Sequence, residues 1–287
     1  MANKEPNPEL LPGQSVELLK ALHILTRDGQ MNQDSRRKLK QVNHLARLIE
    51  PALNALTEAE PNFTLVDHGA GKSYLGFILV DFYLKHKAPG ARVIGIERRA
   101  DLNERAQALA REAGFSQMQF LNMDAQDAIT SQALPATVDI VTALHACDTA
   151  TDDAIHFALR RQAQYVVLVP CCQAEVAAQL RQHKKPYDPD PMSELWRRPL
   201  HTREFGSHLT NTLRCLQLEA HGYQVTVTEL VGWEHSMKNE LIVAHRKGKP
   251  QASAAQKLQA ILDRVGLPAL SERFFVPAAF EPMRTNA

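Results

Sequence analysis

The run Phe63-Thr64-Leu65-Val66-Asp67-His68-Gly69-Ala70-Gly71-Lys72-Ser73-Tyr74-Leu75-Gly76 constrains this chain more than any other. Its apolar start reads as a buried strand that ends at Asp67, turns on Gly69 and Gly71, and enters a helix. Glycine allows a turn tight enough for backbone N–H groups and the following helix N-terminus to face a ligand at close range. Such a turn places a nucleotide-like cofactor, and three cofactor classes use one. A phosphate-gripping loop fits Gly71-Lys72-Ser73 but needs glycine at position 66, where Val66 stands. A dinucleotide fingerprint fits Gly69 and Gly71 but meets Tyr74 in place of its third glycine.

The next two apolar runs narrow the choice. Ala91 to Glu97 is a second strand ending in a carboxylate, placed to accept hydrogen bonds from both hydroxyls of a ribose. An NTPase has no use for that acid. Gln119 to Ala125 holds a third short strand with Asp124 just past its end, where a carboxylate can reach an adenine amino group. Acids thus fall at the carboxyl ends of three consecutive strands, the edge at which open α/β sheets bind ligands. On these residues the chain resembles the class I S-adenosylmethionine-dependent methyltransferases, whose first strand ends D-x-G-x-G and whose second and third strands end in acids. The resemblance implies S-adenosyl-L-methionine as cofactor, held around Asp67, Gly69, Gly71, Lys72, Tyr74, Glu97, Arg98, Asp124, Ala125 and His145.

Alternation of strands and helices extends the pattern along the chain. Residues from about Ser15 to Leu56 carry apolar positions at helical spacing, with a break at Arg27-Asp28-Gly29. The polar face of the second helix is rich in base: Arg36, Arg37, Lys38, Lys40, His44 and Arg47. From Phe63 a first βαβαβ half runs through a helix to about Lys87, a strand to Glu97, a helix from about Asp101 to Ala113 and a strand to Leu121. A second half follows with strands over Thr137–Leu144 and Tyr165–Pro170 flanking a helix near Asp152 to Arg161. Residues 183–203 hold four prolines and read as an irregular loop over the carboxyl edge of the sheet. A helix from about Glu204 to His221 then leads to strands Tyr223–Leu230 and Glu240–Ala244, whose short connection suits an antiparallel edge hairpin. One more helix is expected from about Ala252 to Val265. The expectation is a doubly wound, mostly parallel seven-stranded α/β sheet with a helical segment at residues 1–60, a cofactor-binding domain at 61–246, and a helix and tail at 247–287.

Two segments carry the candidate chemistry. Leu144-His145-Ala146-Cys147-Asp148 with Thr151-Asp152 follows the fourth strand, and Pro170-Cys171-Cys172 follows the fifth. Together with K-L-K-Q-V in the prefix and E-H-S-M-K-N-E-L at residues 234–241, they are similar to a methyltransferase-domain family. That family is related to the eukaryotic tRNA 2′-O-methyltransferase of the acceptor stem, which has H-x-C-G-x-A-T-D and C-C-H segments. Here Asp148 stands where that enzyme has glycine, and no cysteine/histidine cluster with metal-ligand spacing precedes the region. The resemblance implies methyl transfer to an oxygen or nitrogen acceptor in RNA, with a small-molecule acceptor or a noncatalytic binding role as alternatives. For a hydroxyl acceptor, His145 or Asp148 is a general base, or His145 shapes the pocket. Cys171 is a candidate thiolate nucleophile for a pyrimidine, although P-C follows the fifth strand here rather than the fourth. A zinc site is not expected, since adjacent cysteines rarely both ligate one ion. Arg203, Glu204, Arg214 and the loop with Trp196, Arg197 and Arg198 read as a substrate lid or as ordinary loop anchoring.

Composition removes other classes. Lys plus Arg at 33 against Asp plus Glu at 32 gives no global basic field, so any RNA contact is local. No hydrophobic signal core opens the chain and no apolar run spans a bilayer, so no membrane partner and a cytoplasmic location are expected. Four cysteines in 287 residues do not make a disulfide framework.

Overall fold

A computed structural model describes residues 10–274 apart from 12, 30, 145, 147, 171–172, 184–189 and 231–239. Seven strands form one sheet in the order β3-β2-β1-β4-β5-β7-β6. The described residues divide into two compact units, one within 10–124 with 230 and one within 125–229 with 240–274.

The first unit opens with α1 (Val16–Ala21), capped by Ser15, and α2 (Gln33–Ala59), whose Asn32 side chain accepts from Ser35 N. The two helices flank the Arg27–Gly29 break, and α2 continues through Pro51, which sits on its exposed face. The apolar face of α2, with Leu39, Leu45, Ala46, Ile49 and Leu53, is buried. Then β1 (Thr64–His68), β2 (Arg92–Glu97) and β3 (Met118–Asn122) pair in parallel, with Asp67 beside Gly95 and Glu97 beside Asn122. Between β1 and β2 run α3 (Tyr74–Leu79), a π-turn (Val80–Leu84) and α4 (Lys85–Lys87). The π-turn has a visible use. Its Asp81, wholly buried, accepts from Ser15 N at 2.7 Å and from Lys85 Nζ at 2.5 Å, so it ties the segment before α1 to this helix. Helix α5 (Ala100–Glu112) connects β2 to β3.

The second unit holds α6 (Ala125–Thr130), β4 (Ile140–Leu144), α7 (Thr149–Arg160), β5 (Tyr165–Val169) and α8 (Glu175–Gln182). A 3-10 helix (Pro191–Trp196) precedes α9 (Pro199–Ala220), followed by β6 (Tyr223–Glu229), β7 (Glu240–Arg246), α10 (Ala252–Arg264), a second 3-10 turn (Pro268–Leu270) and α11 (Ser271–Phe274). β4 and β5 are parallel, while β7 pairs antiparallel with both β5 and β6, as the hairpin reading requires. α9 starts five residues earlier than the expected Glu204, because Pro199 sits in its first turn, where a missing N–H costs nothing. A core of Val176, Leu180, Leu209, Leu213, Leu258 and Phe274 joins α8, α9, α10 and α11.

Candidate functional site

The acid-glycine turn is held by a dense set of backbone bonds. Asp67 lies near the end of β1 and is 2% exposed; its Oδ2 accepts from Ser73 Oγ at 3.3 Å. Gly69, Gly71 and Ser73 have φ of 68°, 57° and 52°, three left-handed positions within five residues. Glycine adopts that conformation without strain, whereas Ser73 is held there by burial and by its N–H, which donates to Ala70 O at 2.7 Å. Ala70 N donates to Ile96 O at 2.8 Å, which ties the turn to β2. A Cβ on Gly71 would meet no atom within 4 Å, so one side of the turn is open.

Glu97 closes this arrangement from the end of β2. Its Oε2 accepts from Gly71 N at 2.9 Å, and its Oε1 accepts from Arg99 N at 2.9 Å and Arg99 Nε at 3.2 Å. A carboxylate offers about four lone-pair directions, so these three bonds orient it without exhausting it. Asn122, at the end of β3, donates through Nδ2 to the carbonyls of Glu97 at 3.0 Å and Arg98 at 2.9 Å. Asp124 is exposed two residues beyond β3. Lys72 is exposed with Nζ 5.9 Å from the centre of the Tyr74 ring, Tyr74 opens α3, and the Arg98 residue is exposed. Asp67, Gly69, Gly71, Glu97 and Asp124 thus occupy the carboxyl ends of three neighbouring parallel strands. Ala125 is the first residue of α6.

Three contributors escaped the sequence reading. Gly95 has no room for a side chain: a Cβ there would come within 2.7 Å of the Phe120 ring and 3.4 Å of Ala70. Arg99 and Asn122 act through hydrogen bonds to Glu97 and its neighbour. The one available signal was Arg99 following Glu97 by two residues, the spacing at which a side-chain carboxylate reaches a backbone N–H.

In the second unit, the segment after β4 is organised around a buried arginine. Asp148 has φ 51° and ψ −120°, a conformation that favours glycine. Its Oδ1 accepts from Ala174 N at 2.9 Å and Glu175 N at 3.1 Å, capping α8. Its carbonyl accepts from Arg214 Nη2 at 2.8 Å. Arg214 is wholly buried and pairs with both oxygens of Asp152 at 2.7 and 2.9 Å, while its Nη1 donates to Asn211. The lid reading of Arg214 is therefore corrected: its guanidinium is a buried strut with no solvent-facing surface. Next to it, burial and the Glu240 and Glu219 charges push the Cys215 thiol up to about 12, which keeps it protonated. His145, Cys147 and Cys171 lie outside the described residues, as do Cys172 and residues 234–239. Among the described residues no group of three or more His, Cys, Asp or Glu side chains is placed to hold a metal ion, and no helix is long and apolar enough to cross a membrane.

With this geometry in place, comparison with known proteins is informative. Residues 37–179 match the family model of a methyltransferase domain. The matched stretch runs from α2 through the acid-glycine turn to α8 and is just under half of the chain. Curated relatives share more of it at low identity. A glutathione S-transferase C-terminal domain-containing protein from Bos taurus is 26% identical over 77% of this chain, and its Xenopus laevis counterpart is 30% identical over 50%. The chain spans 35% and 21% of the lengths of those two relatives. Among solved structures, an rRNA methylase from Streptococcus thermophilus aligns with 69% of this chain and 95% of its own at 9% identity, with a TM-score of 0.43.

Proposed function

We propose that this chain is an S-adenosylmethionine-dependent methyltransferase acting on an oxygen or nitrogen in RNA. The observation that carries the cofactor is the turn itself. Gly71 presents an open face at a left-handed position while its N–H is tied to Glu97, the carboxylate at the end of the next strand. That pairing suits an adenosine ligand, with Glu97 accepting from ribose hydroxyls, Asp124 near the adenine amino group, and Asp67 with the Gly69 turn facing the amino-acid end, the Gly71 N–H being taken by Glu97. Lys72, Tyr74, Arg98, Ala125 and His145 complete the proposed surroundings. The methyltransferase-domain match over residues 37–179 supports the same reading. When bound, the cofactor supplies an electrophilic methyl group on a sulfonium.

Methyl transfer of this kind depends mainly on in-line positioning of the acceptor, for which proximity and orientation are worth roughly 7–11 kcal/mol. The residues that follow β4 are the ones we assign to the acceptor. His145 takes the proton of a hydroxyl acceptor, and Asp148, anchored on α8 and on Arg214, follows it three residues on as the other candidate base. Cys171 stands as the alternative nucleophile. Incubating the protein with methyl-labelled cofactor and, separately, total RNA and a small-molecule extract tests this. Nuclease-sensitive label that His145→Ala abolishes while cofactor binding persists is the expected result. Label confined to the small-molecule extract would replace RNA with a small acceptor.

A further inference from the structure

We infer that the exposed basic stripe of α2 is a docking surface for the phosphate backbone of RNA. The inference rests on the methyltransferase reading above and assigns the place where an RNA acceptor is held. Residues 33–47 contain five Lys and Arg against one acid, in a chain whose formal net charge is only +1. The excess is local, and the helix orders it. At about 100° per residue, Arg36, Lys40, His44 and Arg47 fall in one narrow arc with Arg37 on its flank. All five are exposed. Neighbours at this spacing stand about 5–6 Å apart, and the row from Arg36 to Arg47 is about 16 Å long. A nucleic-acid strand carries a charge about every 3.4 Å along a duplex axis, so the row faces about four or five phosphates.

A bland solvated face predicts a different pattern. Solvated helices commonly lace cations with acids at i+3 or i+4, as Lys20 with Glu17 and Arg197 with Glu194 do elsewhere in this chain. Arg37, Lys40 and Arg47 enter no ion pair with any described residue, and Glu50, three residues beyond Arg47, pairs with Lys87 instead. Arg36 and Arg37 also stand near the N-terminal end of α2, the end at which the helix dipole disfavours cations. An external polyanion would offset the mutual repulsion of cations gathered this way. Insertion of α2 into a membrane does not fit, because its apolar face, Leu39, Leu45, Ala46, Ile49 and Leu53, is already buried. Helix α2 packs on α3, the helix that begins at the acid-glycine turn.

The test uses the full chain, a fluorescein-labelled mixed-sequence RNA hairpin, and fluorescence anisotropy across a salt series. The triple variant Arg37→Gln/Lys40→Gln/Arg47→Gln changes only exposed side chains. It is compared with wild type and with Lys247→Gln/Lys249→Gln/Lys257→Gln, which removes three exposed cations elsewhere. Wild type is expected to bind, and the α2 variant to bind at least about tenfold more weakly. Its slope of log affinity against log salt should be shallower by about two, at roughly 0.7 per lost phosphate contact. S-adenosylmethionine binding by calorimetry should be the same in all three proteins, which separates this inference from the cofactor reading. No RNA binding by wild type overturns the inference, as does equal loss in both triple variants. Binding to phosphatidylserine vesicles through the stripe without RNA binding overturns it too.

Discussion

At Glu97 two demands meet on one carboxylate. It holds the Gly71 amide and the Arg99 backbone in place, and under the proposed function it also keeps lone pairs for a ligand. Asn122 answers the first demand from behind by fixing the Glu97 and Arg98 carbonyls. Gly71 offers a sharper separation of fold from function. An alanine there meets no protein atom, so the fold loses only the left-handed strain, about 1–2 kcal/mol. Gly71→Ala should thus lower the thermal midpoint by only a few degrees while weakening S-adenosylmethionine by more than about tenfold. Differential scanning fluorimetry and calorimetry measure the two effects, and unchanged affinity would place the cofactor away from this turn. Asp67, Gly69, Gly71 and Glu97 were legible because their chemistry is written in local spacing. Gly95 and Asn122 were not, because each matters through an atom on another strand, Phe120 for one and the Glu97 carbonyl for the other.

Elements were legible where one period dominated. The strands of both halves and the long helices carry unbroken apolar patterns, and each appears within a few residues of its expected bounds. Prolines misled where they were read only as breakers: Pro191 and Pro199 each sit in the first turn of a helix. Helix α8 gave little signal, being eight residues long with only Val176, Ala177 and Leu180 buried. Its start is set from a distance by the Asp148 side chain. Within α7, partly buried His156 supplies a pH test. Burial lowers its pKa below the ordinary value, against a smaller upward pull from Asp152, and its Nε2 has no hydrogen-bond partner among the described residues. His245 on β7 is lowered for the same reason. The unfolded chain therefore binds protons first, and stability present above about pH 6.5 is lost as pH falls toward the folded values. The urea midpoint should drop between about pH 7.5 and pH 5.5, and His156→Gln should flatten part of that slope. A slope unchanged by the substitution would contradict the assignment.

At the scale of the whole molecule, near-neutral net charge conceals an uneven distribution, with the basic stripe of α2 set against a slightly acidic remainder. The seven-stranded, mostly parallel sheet was readable because βαβ units make parallel neighbours and the short final connection makes an antiparallel edge, while the place of β7 between β5 and β6 was not. What the pattern did not reveal was the packing of α10 and α11. Leu258, Leu262 and Phe274 join Leu209 and Leu213 in one core, contacts made across long sequence separations. The central claim is that the acid-glycine turn binds S-adenosylmethionine. Titration calorimetry of S-adenosylmethionine, S-adenosylhomocysteine, ATP and NAD against wild type and Glu97→Gln tests it most directly. The account predicts that only the two adenosyl-sulfur ligands bind, and that Glu97→Gln weakens both by at least about tenfold. Binding of ATP or NAD in their place, or full affinity in the variant, would contradict it.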